Sequence, residues 1–134
     1  MVKPAVLDAS ALIALLFDEA GAKAVEDLFS RQPAAQRPVS IAAVNWAEVA
    51  YRTERRRPRD GAEILRRLAE TAPLQIIPVD RGLAEAAARL KRDYGLALSD
   101  AFAAALAQAR AAQLFTSDRD FAAVARLLPI RWLR

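Results

Sequence analysis

Neither cysteine nor histidine occurs anywhere in these 134 residues, and the two absences exclude more chemistry than any motif admits. Without cysteine there is no disulfide and no thiol nucleophile. Without either residue, the usual structural zinc sites and the Ser-His-Asp triad are ruled out. A histidine general base is excluded as well. What remains is carboxylate chemistry, alone or with hard cations that prefer oxygen ligands. Long apolar runs are also missing: the longest strongly apolar one, Ala11 to Phe17, is far too short to span a bilayer. The N-terminus leads straight into a predicted strand, without the charged, apolar and cleavage-site segments of a signal peptide. A soluble, cytoplasmic protein is the expectation.

The chain that is present fits one domain over residues 1–134 and is long enough to bury a proper core. Hydrophobic residues make up 54 %, but alanine supplies much of that, so the apolar signal is shallower than the figure suggests. Net charge is +4 with a pI near 10.1, and arginine greatly outnumbers lysine, which occurs only as Lys3, Lys23 and Lys91. That balance suits an anionic partner, either nucleic acid or an acidic protein segment.

An apolar run, Ala5-Val6-Leu7, ends on Asp8, and a helical pattern follows at once over Ser10 to Phe17. Asp18 to Gly21 breaks it, and Ala22 to Ser30 carries Val25, Leu28 and Phe29 at helical spacing. Residues 32–37 read as a loop, and Pro38 to Ala42 as a second strand. A long helix is predicted from Asn45 to Arg56, stopped before Pro58, and another from Asp60 to Thr71. Leu74 to Val79 reads as a third strand, Asp80 as the cap of a helix reaching Tyr94, and Gly95 as its end. Ser99-Asp100 opens an alanine-rich helix to Ala112, followed by a strand over Gln113 to Thr116. A short helix over Phe121 to Leu127 and an edge strand over Ile130 to Leu133 complete the pattern. Strands alternating with helices predict an α/β fold of three layers, with a central, mostly parallel sheet of four to five strands flanked by helices.

In such a sheet, ligand crevices lie beyond the carboxyl ends of the strands. Asp8 closes the first strand there, and Asp118 follows the fourth. Glu48 and Asp100 fall in the first turns of the helices after strand two and after Gly95. Each also has a role that needs no ligand. Asp8 can cap the next helix, Asn45 with Glu48 resembles a capping box, Asp100 complements a helix dipole, and Asp118 suits an Asx turn. Ser10 can equally serve as the cap and leave Asp8 free. Capping does not explain why four acids share one end of one sheet. If they gather, mutual repulsion raises their pKa values unless a cation holds them ionised. With no histidine to ligate, Mg²⁺ or Mn²⁺ is the natural occupant.

The ordered set Val6-Leu7-Asp8-Ala9-Ser10, Glu48, Leu98-Ser99-Asp100-Ala101 and Thr116-Ser117-Asp118-Arg119-Asp120-Phe121 resembles the PIN-domain family, in size and order the VapC-type toxins within it. No single motif is specific; the order and spacing are. The resemblance implies a PIN-like domain and a Mg²⁺- or Mn²⁺-dependent endoribonuclease, the toxin of a toxin–antitoxin pair. It implies Asp8, Glu48, Asp100 and Asp118 as catalytic and metal-binding acids. Ser10 and Thr116 would orient carboxylates, water or phosphate, and Asp120 would either contact a second metal or cap the last helix. It also implies RNA as substrate, a VapB-type antitoxin as partner and a homodimer, with no membrane partner. Residues ahead of Glu48 depart from the family's small or hydroxyl pattern, and Trp46 there reads as core.

The run Arg52-Thr53-Glu54-Arg55-Arg56-Arg57-Pro58-Arg59 is the densest in charge. It suits a solvated helix end, where cations favour the dipole. Alternatively, Arg52, Arg55 and Arg56 continue the side of the helix that carries Glu48 and extend away from the acids toward RNA phosphates. Two competitors to the nuclease remain. A catalytically silent PIN-like interaction module would keep the fold without turnover. A carboxylate-nucleophile phosphatase would want a second aspartate two residues after Asp8, and that position is Ser10.

Overall fold

The computed structural model describes residues 3–31 and 39–134. In chain order the elements are β1 (Ala5–Leu7), α1 (Ala9–Leu16), α2 (Ala22–Ser30), β2 (Val39–Ala42), α3 (Ala43–Arg56) and α4 (Gly61–Thr71). There follow β3 (Leu74–Ile77), α5 (Arg81–Tyr94), α6 (Leu98–Ala109), β4 (Gln113–Thr116), a 3-10 helix (Arg119–Val124) and β5 (Ile130–Trp132). The loop expected over 32–37, and Pro38, lie outside the described residues.

All five strands are parallel, in the order β3-β2-β1-β4-β5. The central strands β2, β1 and β4 are buried on both faces, as parallel strands joined by helical crossovers tend to be, while the edge strands β3 and β5 stay partly exposed. In β1, Val6 faces the layer of α5 and α6, while Ala5 and Leu7 face the layer built mainly from α1 to α4. Phe121, fully buried, pins the 3-10 helix to the α5–α6 side; burial of one such ring contributes on the order of 2–3 kcal/mol. Gly21 starts α2 with φ at +93°, and a Cβ there would stand 2.5 Å from that of Leu133. The position therefore excludes side chains twice over.

Several boundaries differ from the sequence expectation. Helix α3 begins at Ala43, with Ala42 as an extended cap that has no side-chain hydrogen bond. The capping box expected of Asn45 and Glu48 therefore does not form, because both residues already lie inside the helix. Strand β3 stops at Ile77, since Pro78 has no amide hydrogen to continue the ladder. Helix α6 ends at Ala109 instead of Ala112, where Ala111 takes a left-handed φ of 50°. The last helix is a 3-10 turn that starts at Arg119, two residues earlier than expected. Among the described residues, no helix is long and apolar enough to cross a membrane.

The crossovers leave β1 and β4 side by side with their connections running in opposite directions. That is the topological switch point, where the strand ends part to form a crevice. Asp8 closes one of these two strands and Thr116 ends the other.

Candidate metal centre

Asp8 is 3 % exposed and sits at the N-cap of α1, its Oδ1 accepting the Ala11 amide at 2.9 Å. Ser10 is not the cap. Its hydroxyl donates to Asp8 Oδ1 at 2.7 Å and accepts the Ser117 amide at 2.9 Å. Thr116, fully buried, repeats the arrangement: its hydroxyl donates to Asp8 Oδ2 at 2.6 Å and accepts the Asp118 amide at 2.9 Å. A hydroxyl has one proton to give. Both protons are directed at Asp8, so the 3.3 Å approach of Ser10 Oγ to Thr116 Oγ1 is a close contact between two already committed groups. The pair of hydroxyls zips the end of β1 to the loop after β4. One acceptor site on Asp8 Oδ2 is left over for a cation.

Asp118 in turn accepts the Asp120 amide at 2.9 Å on its Oδ1, an Asx turn that also caps the 3-10 helix. Asp118, not Asp120, is the cap. This turn folds Asp120 back beside its neighbour. One carboxylate oxygen from each of Asp100, Asp118 and Asp120 lies within 4.8 Å of the other two. Asp100 reaches the group from the first turn of α6.

The electrostatics follow the geometry. Burial pushes the Asp8 carboxyl up to about 6, against opposing hydrogen bonds from Thr116, Ser10 and the Ala11 amide, with a further push from Asp118. Asp100 rises to about 7, first through burial and then through the repulsion of Asp118, Asp8, Glu48 and Asp120. Four acids from three separate parts of the chain thus act on one carboxyl group. Hard oxygen donors crowded in this way fit a divalent cation, which would relieve the repulsion.

Glu48, on α3, accepts from Arg52 Nη1 at 3.3 Å, one turn along the same helix. The expected extension of the arginines away from the acids therefore fails for Arg52, which turns back onto Glu48. Arg55 lies over the Tyr51 ring at 5.6 Å. Arg56 stacks on the Phe17 ring at 3.8 Å and pairs with Glu19 at 3.3 Å. Opposite charges one helical turn apart, as in Glu48 and Arg52, attract by about 0.2–0.5 kcal/mol, enough to bias the Arg52 rotamer. Trp46 packs partly buried against the α1–α4 layer.

One contributor was not visible in the sequence. Asn45 is 1 % exposed and donates from Nδ2 to the Ser99 carbonyl at 2.9 Å, tying the first turn of α3 to that of α6. Asp100 stands on the first turn of α6, whereas Glu48, expected in a first turn, falls in the second turn of α3 because that helix begins two residues earlier than the sequence suggested. A polar residue facing inward three positions before the glutamate was the available signal, but the capping pattern explained it equally well.

The PIN domain family matches residues 5–127 of the chain. Ribonuclease VapC42 of Mycobacterium tuberculosis is 29 % identical over 124 residues, covering 87 % of this chain and 92 % of that protein. A toxin–antitoxin complex from Klebsiella pneumoniae superposes with a TM-score of 0.69 at 27 % identity, over 88 % of this chain and 90 % of the other. DNA-bound VapBC from Salmonella typhimurium shares the fold at a TM-score of 0.74 and 15 % identity, over 99 % of this chain and all (100 %) of that one. The match runs from β1 through the 3-10 helix and so takes in every acid of the crevice; the chain belongs to the PIN-domain family.

Proposed function

We propose that the protein is a metal-dependent endoribonuclease and the toxin of a VapBC-type pair. One observation carries the chemistry: carboxylate oxygens of Asp100, Asp118 and Asp120 converge within 4.8 Å in a crevice to which Asp8 and Glu48 add further negative charge. A purely structural cluster would have a buried cation of the chain's own in its midst, and among the described residues only Arg52 pairs with one of the acids, at the rim on Glu48. The relatives named as a ribonuclease and as toxin–antitoxin complexes support the same reading.

In this reading Asp100, Asp118 and Asp120 would hold Mg²⁺ or Mn²⁺, with Asp8 and Glu48 as the further carboxylates of the set. Such an ion polarises a phosphodiester and makes water more acidic. Asp8 is the fixed point of the site, since three hydrogen bonds hold its carboxylate before any ligand arrives. Thr116 and Ser10 set its orientation and at the same time fix the loop that presents Asp118. With no histidine or cysteine in the chain, the crevice carboxylates are the groups placed to take the proton from the attacking water. Attack at phosphorus with departure of the 3′ oxygen leaves a 5′-phosphate and a 3′-hydroxyl.

Residues 1–134 act as one domain, in the cytoplasm where its RNA is found, held in check by a VapB-type protein and paired with a second copy. The test is cleavage of total RNA by purified protein with Mg²⁺ or Mn²⁺, followed by sequencing of fragment ends. Cleavage should stop with chelator and in Asp100→Asn. RNA left intact with either metal would favour the silent interaction module instead.

A further inference from the structure

Next to the acids, and opposite to them in charge, lies a cavity of about 410 Å³ lined in part by Ser10, Glu19, Arg52, Ser117 and Arg134. Its walls are shared with the crevice on three sides. Ser10 holds Asp8, Ser117 precedes Asp118, and Arg52 holds Glu48. Glu19, the one acid in the lining, is engaged by Arg56, which is itself seated on Phe17. Arg134 is positioned through its backbone, whose carbonyl accepts from Arg119, and Arg119 is stacked over Trp132 at 4.8 Å. Among the described residues, neither the Arg134 guanidinium nor the Ser117 hydroxyl has a hydrogen-bond partner. The Arg134 guanidinium and the Ser117 hydroxyl are therefore the unengaged donors of the lining, and Arg52, shared with Glu48, adds a second guanidinium.

We infer that this cavity is a subsite for the RNA backbone phosphate next to the scissile one, held by Arg52, Arg134 and the Ser117 hydroxyl. The inference rests on the nuclease reading and extends it to the path of the substrate. An isolated carboxylate would satisfy the same donors. A nucleic-acid backbone is favoured because the cavity and the acid crevice are contiguous. A strand whose scissile phosphate lies at Asp8 and Asp118 can place a neighbouring unit here, and guanidinium forks match phosphate oxygens in geometry. The volume holds roughly a dozen waters at about 30 Å³ each, enough for a phosphate and its ribose. Contacts of this kind position the strand and carry no base preference. Arg55 and Arg56 lie outside the subsite, with Arg56 serving only to neutralise Glu19.

The test is steady-state cleavage of the RNA found by end sequencing, in Mn²⁺, by wild type, Arg52→Gln and Arg134→Gln. Arg81→Gln, at the start of α5 beside the far end of α6 from Asp100, is the control. Each of the two subsite variants should raise KM roughly ten-fold, the scale of one charge-assisted hydrogen bond, with kcat nearly unchanged. Each should also make the fall of log(kcat/KM) with log[salt] shallower by about 0.7, the value for one phosphate contact on a single strand. Arg81→Gln should leave all three quantities unchanged. Because Arg52 also pairs with Glu48, Arg134→Gln decides: a wild-type KM and salt slope in that variant, folded by circular dichroism, overturns the subsite. Loss of inhibition by a protein partner in Arg134→Gln, with RNA kinetics unchanged, would assign the cavity to a protein carboxylate and also overturn it. A wild-type protein inert toward all RNA fails the nuclease reading itself, and the subsite with it.

Discussion

Asn45 and Ser99 are 54 residues apart in sequence and joined by a single 2.9 Å hydrogen bond from a buried amide to a backbone carbonyl. That bond ties the start of α3, one turn ahead of Glu48, to the turn of α6 that carries Asp100. The other end of the Asn45 side chain, Oδ1, is buried and has no partner among the described residues. A leucine of the same branched shape would remove that orphan but take the Asn45 donor away from the Ser99 carbonyl and crowd a buried site. Asn45→Leu should therefore cost about 1–3 kcal/mol in urea unfolding. It should also weaken Mn²⁺ binding measured by calorimetry, because the two turns are then free to part. A variant with normal Mn²⁺ affinity would show that α6 holds its place without the brace.

Thr116 is the other long-range tie, and it serves Asp8 and the Asp118 amide with one hydroxyl. Thr116→Val keeps the shape and removes both bonds. Stability should fall by about 1–3 kcal/mol, the cost of unpaired buried groups. Thr116→Ser should restore most of it, since the hydroxyl is kept. Failure of serine to rescue would mean that the threonine methyl, not the hydroxyl, holds the site.

Removing individual acids should separate those whose oxygens converge from the one behind them. Asp100→Asn and Asp118→Asn should each lower Mn²⁺ affinity ten-fold or more, the usual scale for losing a charged ligand or its close support. Asp8 should be as sensitive, because its loss removes a ligand and the anchor of Ser10 and Thr116 together. Asp120, at the exposed edge of the cluster, should matter least of the three converging acids. Calorimetric titration of the four variants gives the order directly.

The raised pKa values of Asp8 (about 6) and Asp100 (about 7) make stability depend on pH in a defined direction. The unfolded carboxyl has its ordinary value of 3.8, so between 3.8 and about 7 the folded chain binds more protons than the unfolded one. Stability in chelator should then fall as pH rises through that window and level off above it. Mn²⁺ competes with those protons, so its stabilising effect should grow over the same range. Thermal melts with chelator and with Mn²⁺ across the window check both halves. A chelated protein that gains stability from pH 3.8 to 7 would contradict the folded-state values.

Much of the fold was legible because burial leaves a periodic trace. Val6 and Leu7 alternate between two layers, and the 3.6-residue pattern in α2 and α6 placed both helices within a few residues. The misplaced boundaries were those where one hydrogen bond decides. Asn45 has the chemistry of a cap and lies three residues before Glu48, so local pattern could not show that it looks across to Ser99. Arg52 was read as reaching outward because its helical face was known and its rotamer was not. Asp120 was ambiguous because its position depends on the Asx turn at Asp118, a feature of two backbone angles.

By itself the sequence limited the chemistry, since a chain with no histidine and no cysteine can offer a metal only oxygen, and it set the order of strands and helices. Which acids meet was decided by tertiary structure alone. Placing β4 beside β1 brings Thr116 onto Asp8 across 108 residues, and no local rule encodes that adjacency. It arises from the crossover of α5 and α6 to the opposite face of the sheet, which closes one long-range contact and thereby all the others at the strand ends.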